Sequence, residues 1–424
     1  MWRNWAGNQR CDPARTVLAR DAGEVVAAVE AADRDGLRVT ALGSGHSFTG
    51  VGAPDGVALR VPAGPPVVDA VGRATVPAGT TLRAVNAALW DLGWALPNLG
   101  DIDAQTVAGA LSTGTHGTGA AHPGLAAQVR EVEIVLADGS VRTCSPERDA
   151  ELFAVARLGL GAFGVLVGVT LQAVPAFRLR AVEETRPLAA VLDGFDELAA
   201  AHDHVEFYWF PHTELAAVKI NDRAADGPAR GRVAGWVGDE LVGNGAFGLA
   251  SRLGTARPSL VPRINRLAAG QFAAGSFVDR SYRVFTSPRR VRFVEMEYAV
   301  PREALRAAFA GLRAAADRCA RHVTFPVEVR VAAADDVPLS TAHGRDTAYL
   351  AVHTALGQPH EAYFAAVEQV MVALDGRPHW GKLHGRTAEQ LRGSYPGFDA
   401  VVALRDRVDP QRRFGNPYRE RVLG

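Results

Sequence analysis

Leu37-Arg-Val-Thr-Ala-Leu42 runs directly into Gly43-Ser44-Gly45-His46-Ser47-Phe48, and this junction decides how the first third of the chain is read. The apolar alternation predicts a strand, and the glycines after it expose backbone N–H groups that can converge on a pyrophosphate. No Gly-Lys-Ser/Thr follows, so this is not a Walker A loop. Taken alone, a short Gly-Ser loop is a tight turn. A second segment, Asp101-Ile-Asp-Ala-Gln-Thr106-Val-Ala-Gly109, continues through Leu111-Ser112-Thr-Gly114-Thr115-His116-Gly117-Thr-Gly119. Its small residues and hydroxyls let the main chain lie flat against a planar or phosphorylated ligand, and Val107, Ala108, Ala110 and Leu111 argue that it is buried. A third segment, Gly159-Leu-Gly-Ala-Phe-Gly164, matches GxGxxG in form only. A helix-like stretch precedes it and a strand, Val165–Val174, follows, whereas a nicotinamide-binding fingerprint needs strand, glycines, then helix.

Working outward, Asp21-Ala-Gly-Glu24 predicts a helix start with Val25, Val26, Val29 and Ala32 on one side, stopped at Asp35-Gly36. Val57–Val61 and Ala74–Val76 predict short strands, and Thr81 caps a helix carrying Leu82, Val85 and Leu89. Val129–Leu136 and Ser140–Cys144 predict a hairpin about Asp138-Gly139. The texture is α+β rather than a regular βαβ series. Beyond Pro175, Val205–Phe210 predicts a strand, and Ala224 to about Pro288 predicts short helices and mobile loops. Then come strand Phe293–Val300, an Ala-rich helix from about Pro301 to Ala320, strands Val323–Val331 and Thr347–Thr354, and a helix from about His360 to Leu374. That β-α-β-β-α order resembles a ferredoxin-like half-domain whose sheet offers one face to a pocket. No internal sequence repeat is visible.

With 424 residues, two domains are expected. Lys+Arg and Asp+Glu both total 46, a balance that argues against nucleic acid and acidic lipid and suits a small, uncharged ligand. Cys11, Cys144 and Cys319 form no CxxC pair, so neither a disulfide framework nor structural zinc is expected. The start, MWRNWAGNQRC, lacks the apolar core of a signal peptide. The most membrane-like run, Gly159–Phe177, is broken by four glycines, Gln172 and Pro175, and a buried strand with its flanking loops explains it better than a membrane span. A cytoplasmic protein is the expectation.

The three Gly-rich segments in this order resemble the vanillyl-alcohol-oxidase (PCMH) type of FAD domain. Asn4-Trp-Ala-Gly7, the His46 loop, Thr115-His-Gly-Thr-Gly119, His379-Trp-Gly-Lys382, and Arg405-Asp-Arg-Val-Asp-Pro410 followed by Phe414-Gly-Asn416 extend the resemblance over essentially the whole chain, to the sugar-1,4-lactone and alditol oxidase group. The resemblance implies a two-subdomain FAD-binding domain over 1–175, an α+β substrate cap with ferredoxin-like elements over 176–378, and a segment 379–424 returning to the FAD domain. It implies a covalent histidyl bond from His46 to the flavin 8α-methyl. Gly43, Ser44, Gly45, Ser47 and Phe48 would attend the pyrophosphate loop. Ser112, Gly114, Thr115, His116 and Gly117 would line the flavin, with Gly164 and Val165 near the adenine, His379 beside the isoalloxazine and Asn416 closing the site.

At the substrate end, Glu328-Val-Arg330 places two charges on one face of a strand. On an edge strand these would form a solvated pair, and Lys382 alone would be a surface lysine. The resemblance implies instead that Glu328, Arg330 and Lys382 meet the substrate hydroxyls, with Thr106 near flavin N5 and His353 joining them. It implies hydride transfer from a carbinol carbon to N5, with oxygen or another electron acceptor reoxidising the flavin. Three substrate readings follow: an L-gulono- or D-arabinono-1,4-lactone, an alditol such as xylitol or sorbitol, or a flavin-binding protein without turnover. His202-Asp-His204 with Glu206 is metal-like in spacing, but a solvent-edge strand explains it better, and no metal is expected. Arg289, Arg290 and Arg292 read as a solvated face, and Trp2 and Trp5 as packing the N-terminal arm onto the flavin domain.

Overall fold

The computed structural model describes residues 1–229, 245, 247–270 and 275–424. A parallel three-stranded sheet, ordered β1–β3–β2, comprises β1 (Arg15–Leu18), β2 (Arg38–Ala41) and β3 (Gly56–Arg60). The helix Ala22–Arg34 joins β1 to β2; Asp21 caps it, its carboxylate accepting from the Glu24 N–H, and Val25, Ala28, Val29 and Ala32 are its buried stripe. An antiparallel five-stranded sheet follows from β4 (Val67–Val68), β5 (Arg73–Pro77), β6 (Val129–Val135), β7 (Val141–Cys144) and β8 (Val165–Gln172), ordered β7–β6–β8–β5–β4. Both sheets share one apolar core with the C-terminal helices, through Trp380, Phe398, Phe414 and Val422.

The rest of the chain builds an eight-stranded sheet from β9 (Arg178–Pro187), β10 (His204–Trp209), β11 (Leu215–Arg223), β12 (Gly275–Arg280), β13 (Phe293–Pro301), β14 (Val327–Ala332), β15 (Thr347–Ala355) and β16 (Arg377–Pro378). Its order is β12–β9–β11–β10–β14–β15–β13–β16. Each half is a βαββαβ unit whose strands pair in the order 4-1-3-2, and the two halves meet antiparallel at Phe207↔Val329, Tyr208↔Glu328 and Trp209↔Val327. The sequence predicts one ferredoxin-like unit; the structure contains two. The first is hidden in the sequence because β9, β11, β12 and the short helices Leu188–Asp193 and Phe195–Ala201 carry no strong local signal, and its second helical connection falls in the Ala/Arg-rich stretch of weak periodicity. Within that stretch Phe247–Ala256 and Val261–Gly270 are helices, while the expectation for 230–244, 246 and 271–274 lies outside the described residues.

Strand alternation gives this sheet two different faces. Val205, Phe207, Trp209, Val294, Met296, Tyr298, Val327, Val329, Val331, Leu350 and Val352 point to one side, where helices Leu305–Cys319 and Glu361–Ala373 cover them. Glu206, Tyr208, Glu295, Glu297, Glu328, Arg330, Tyr349 and His353 occupy the alternate positions and face the opposite way. Beside the joint between the halves, the segment Thr118-Gly119 wedges between β10 and β14. The Thr118 hydroxyl donates to Val205 O, and the Gly119 N–H donates to Val331 O at 2.9 Å. The Thr115–Gly119 motif therefore keys the first third of the chain into the seam of the large sheet. Among the described residues, no helix is long and apolar enough to cross a membrane.

Candidate active site

An open-mouthed cavity of about 1010 Å³, counting the open solvent at its mouth, lies against the first two sheets. Gly43, Ser44, Gly45, His46, Ser47, Thr106, Ser112 and Gly164 line it, as do Trp2, Gln105 and Arg419. Gly43 has no room for a side chain, since a Cβ would sit 2.7 Å from Thr106 Oγ1. Gly45 adopts φ +73°, a conformation that favours glycine. Among the described residues, none of the backbone N–H groups from Gly43 to Ser47 donates to a protein acceptor. Such groups are normally paired, so the loop is built to meet an acceptor-rich anion, and the residues present fit the pyrophosphate of FAD. Thr106 caps Val107–Ser112, its Oγ1 accepting from Gly109 N at 3.1 Å, which leaves its hydroxyl proton free to donate.

His46 sits at this cavity with the Trp5 ring stacked on it, 5.4 Å between centroids and 23° between planes. Burial pushes its pKa below the usual imidazole value, against the pull of Asp101, which favours the neutral ring. Trp5 thus packs the arm, as expected, whereas Trp2 lines the cavity.

The polar face of the eight-stranded sheet carries two linked charge clusters. In the first, Arg330 Nε donates to Glu206 Oε2 (2.7 Å) and Nη2 pairs with Glu328 Oε1 (2.6 Å), with Asp101 Oδ2 at 3.9 Å. Tyr208 Oη donates to Glu328 Oε1 at 2.7 Å, Lys219 Nζ lies 3.6 Å from Glu206, and Arg289 Nη2 pairs with Asp101 at 2.7 Å. Burial raises Glu206, but Arg330 and Lys219 outweigh it and hold that carboxyl below its ordinary value. Glu328 shifts the other way: burial raises it, and an Arg330 shared with Glu206 and Asp101 does not bring it back. Glu328 is therefore the carboxyl of this cluster most ready to hold a proton.

In the second cluster Lys382 Nζ donates to Glu295 and lies 3.5 Å from Glu297. His353 Nε2 is 3.3 Å from Glu295, and its Nδ1 donates to Pro326 O at 3.0 Å. His116 Nε2 meets Glu297 at 2.7 Å, and its ring stacks on Tyr349 at 3.6 Å. Burial lowers Lys382, yet Glu295 and Glu297 more than offset it, so the ammonium is firmly charged. Burial holds His379 down at about 3, and its Nδ1 accepts from Gly381 N, which leaves the proton on Nε2 of a neutral ring. His116, Glu297 and His379, and likewise Glu295, Glu328 and His353, bring potential ligand atoms within 4.8 Å of one another. In these groups Glu297 pairs with His116 and Lys382, Glu295 with Lys382 and His353, and Glu328 with Arg330, while His379 stays neutral.

Lys382, Glu328, Arg330 and His353 therefore converge, and Thr106 lines the cavity with the His46 loop. Other residues expected near the flavin fall outside the lining of this cavity. Gly114, Thr115, His116, Gly117, Val165 and His379 do not line the cavity; Thr115 hydrogen-bonds Gln105, and His116 is committed to Glu297. Phe48 packs against Trp5 and Phe293. The Asn416 amide is spent on Gly50, Val51 and Ala53 carbonyls and its Oδ1 on capping Pro417–Leu423, so it anchors the tail rather than reaching the site. Glu206 and His204 are buried at 5% and 2% exposure within a central strand, which overturns the solvent-edge reading. Arg289 turns in to Asp101, and Arg292 Nη1 donates to Trp5 O at 2.5 Å, so this arginine cluster is not simply a solvated face. Glu206, Tyr208, Glu297 and Asp101 were missed; the alternation in His204-Val-Glu-Phe-Tyr-Trp209, read as a core strand, is the signal that would have found the first two.

Residues 169–422 match the D-arabinono-1,4-lactone oxidase family, and residues 13–145 match an FAD binding domain. The chain is 41% identical to an L-gulono-1,4-lactone dehydrogenase of Mycobacterium tuberculosis, across 100% of this chain and 99% of that one. It is 32% identical to the L-gulonolactone oxidase of Bos taurus (100% and 98% covered) and 32% identical to an alditol oxidase of Streptomyces sp. (99% and 98%). Among solved structures, a solvent-stable cholesterol oxidase superposes with a TM-score of 0.87 at 21% identity, covering 100% of this chain and 97% of that one, a likeness of fold. The chain is an FAD-binding member of the D-arabinono-1,4-lactone oxidase family.

Proposed function

We propose that the protein oxidises the 2-hydroxyl of a sugar-1,4-lactone of the L-gulono or D-arabinono type, giving a 2-keto lactone whose enediol tautomer is ascorbate-like. The observation that carries this reading is the polar face of the large sheet, where Lys382, from the turn after β16, joins Arg330, Glu328 and His353. FAD, when bound, supplies the two-electron acceptor that takes hydride from the carbinol carbon at N5. Glu328, the carboxyl with the raised pKa, takes the hydroxyl proton. Lys382 and Arg330 keep their charge and stabilise the developing alkoxide. Glu206 and Glu295 orient those two cations, and Tyr208 orients Glu328.

The same reading assigns His46 a covalent bond to the flavin, supported by its place in the cavity and its stacked, neutral ring. It assigns 1–175 and 379–424 to the flavin side and 176–378 to the substrate side, places the protein in the cytoplasm, and leaves reoxidation to oxygen or another acceptor. Full-length similarity to an alditol oxidase favours a second reading, oxidation of a terminal polyol hydroxyl. Anaerobic bleaching of the flavin distinguishes them. Fast bleaching by lactones and slow bleaching by xylitol or sorbitol supports the first, and the reverse order supports the second. No bleaching by either, with flavin fully bound, indicates a flavin-binding protein without turnover.

A further inference from the structure

Arg419 is a buried cation with no counter-ion among the described residues. It is 2% exposed and lines the cavity at the glycine loop 159–164, yet among the described residues no carboxylate lies within 4.0 Å of it. Two carbonyls fix its guanidinium: Nε donates to Leu160 O at 2.7 Å and Nη1 to Phe414 O at 2.8 Å. Among the described residues Nη2 has no acceptor, and it stands where a Cβ on Gly161 would approach to 2.9 Å. Burial and the neighbouring Arg405 push its pKa down to about 9, with only a weak counter-pull from Asp409. A charge taken out of water without a partner costs several kcal/mol, a cost that an anion bound in the cavity would return. Asn416 holds the arginine in place by capping its helix at Arg419 N (2.9 Å).

We propose that Arg419 is the counter-charge for the pyrophosphate of FAD, with Nη2 pairing to a phosphate oxygen across the cavity from the Gly43–Ser47 loop. The inference rests on FAD occupying this cavity. It adds that the C-terminal tail, rather than the glycine loops alone, neutralises the dinucleotide. Backbone N–H groups supply direction but no full charge, whereas a guanidinium supplies both.

The test uses the full-length chain in a His46→Ala background, stripped of flavin so that binding is reversible, and titrates it with FAD and with riboflavin, which lacks phosphate. Arg419→Met should weaken FAD on the order of 10- to 100-fold, the worth of a charge-assisted hydrogen bond, and leave riboflavin unchanged. Arg419→Lys should recover part of the loss, because the charge survives while the fork does not. Equal loss for both flavins would overturn the proposal in favour of a purely structural arginine, as would no loss for either. If the His46→Ala chain with its native Arg419 bound neither flavin, FAD occupancy itself would fail, an outcome distinct from a failed Arg419 effect.

Discussion

Replacing Arg330 with methionine should cost more at neutral pH than at acid pH, by an amount that follows from its partners. The guanidinium holds Glu206 at 2.7 Å and Glu328 at 2.6 Å, with Asp101 at 3.9 Å, and all but Asp101 are less than 8% exposed. Removing one partner of a buried ion pair costs about 3–5 kcal/mol, because the remaining charge is stranded. Here the stranded groups are carboxylates, so they regain neutrality by taking up protons. In Arg330→Met the folded pKa of Glu206 rises from below its ordinary value to above it. A carboxyl raised in the folded state costs nothing below its unfolded pKa, near 4.3, and its cost grows as pH climbs through the folded pKa. Urea unfolding of the flavin-loaded protein at pH 5 and pH 8 should therefore show a larger deficit at pH 8. The triple variant Arg330→Met/Glu206→Gln/Glu328→Gln should be more stable than Arg330→Met alone, since no unpaired charge is left at Glu206 or Glu328. A triple variant less stable than the single one, or a deficit independent of pH, would refute the reasoning.

Two further outcomes follow from the same geometry. In acid-precipitated protein, the native chain should give a yellow pellet and His46→Ala a colourless one; free yellow supernatant from the native chain would contradict the histidyl bond. Glu328 carries a raised pKa, so kcat/KM should fall as pH drops through a value above 4.5, the base being lost to protonation. Glu328→Gln should abolish that acid limb and lower kcat/KM by about 10²–10⁴-fold, and an unchanged limb would assign it to another group.

The sequence made the flavin side legible because its chemistry is written in local signals. Glycines at 43, 45 and 164 and the caps at Asp21 and Thr81 each announce a backbone conformation within a few residues. The substrate side is written across strands far apart in the chain. Glu328 and Arg330 stood out because they are neighbours in sequence, but Glu206 lies 124 residues from Arg330 and gains its meaning only when β10 pairs with β14. Weak local periodicity, rather than distance, hides the first ferredoxin-like unit, whose strands β9 to β12 pair within residues 178–280. His116 and Asn416 were assigned to the cofactor from motif position, yet their side chains are consumed by Glu297 and by three carbonyls. Arg419 shows the converse: it belongs to no glycine motif, and only burial without a carboxylate partner marks it.

The most direct test of the central claim is a single anaerobic turnover. Purified yellow protein is mixed with L-gulono-1,4-lactone in the absence of oxygen, and the flavin absorbance is followed. Complete bleaching by the lactone is expected, with the 2-keto lactone formed in proportion to flavin, and bleaching slowed at least about 100-fold in Lys382→Met, which removes the cation for the alkoxide. A flavin that stays yellow with both L-gulono- and D-arabinono-1,4-lactone would contradict that claim.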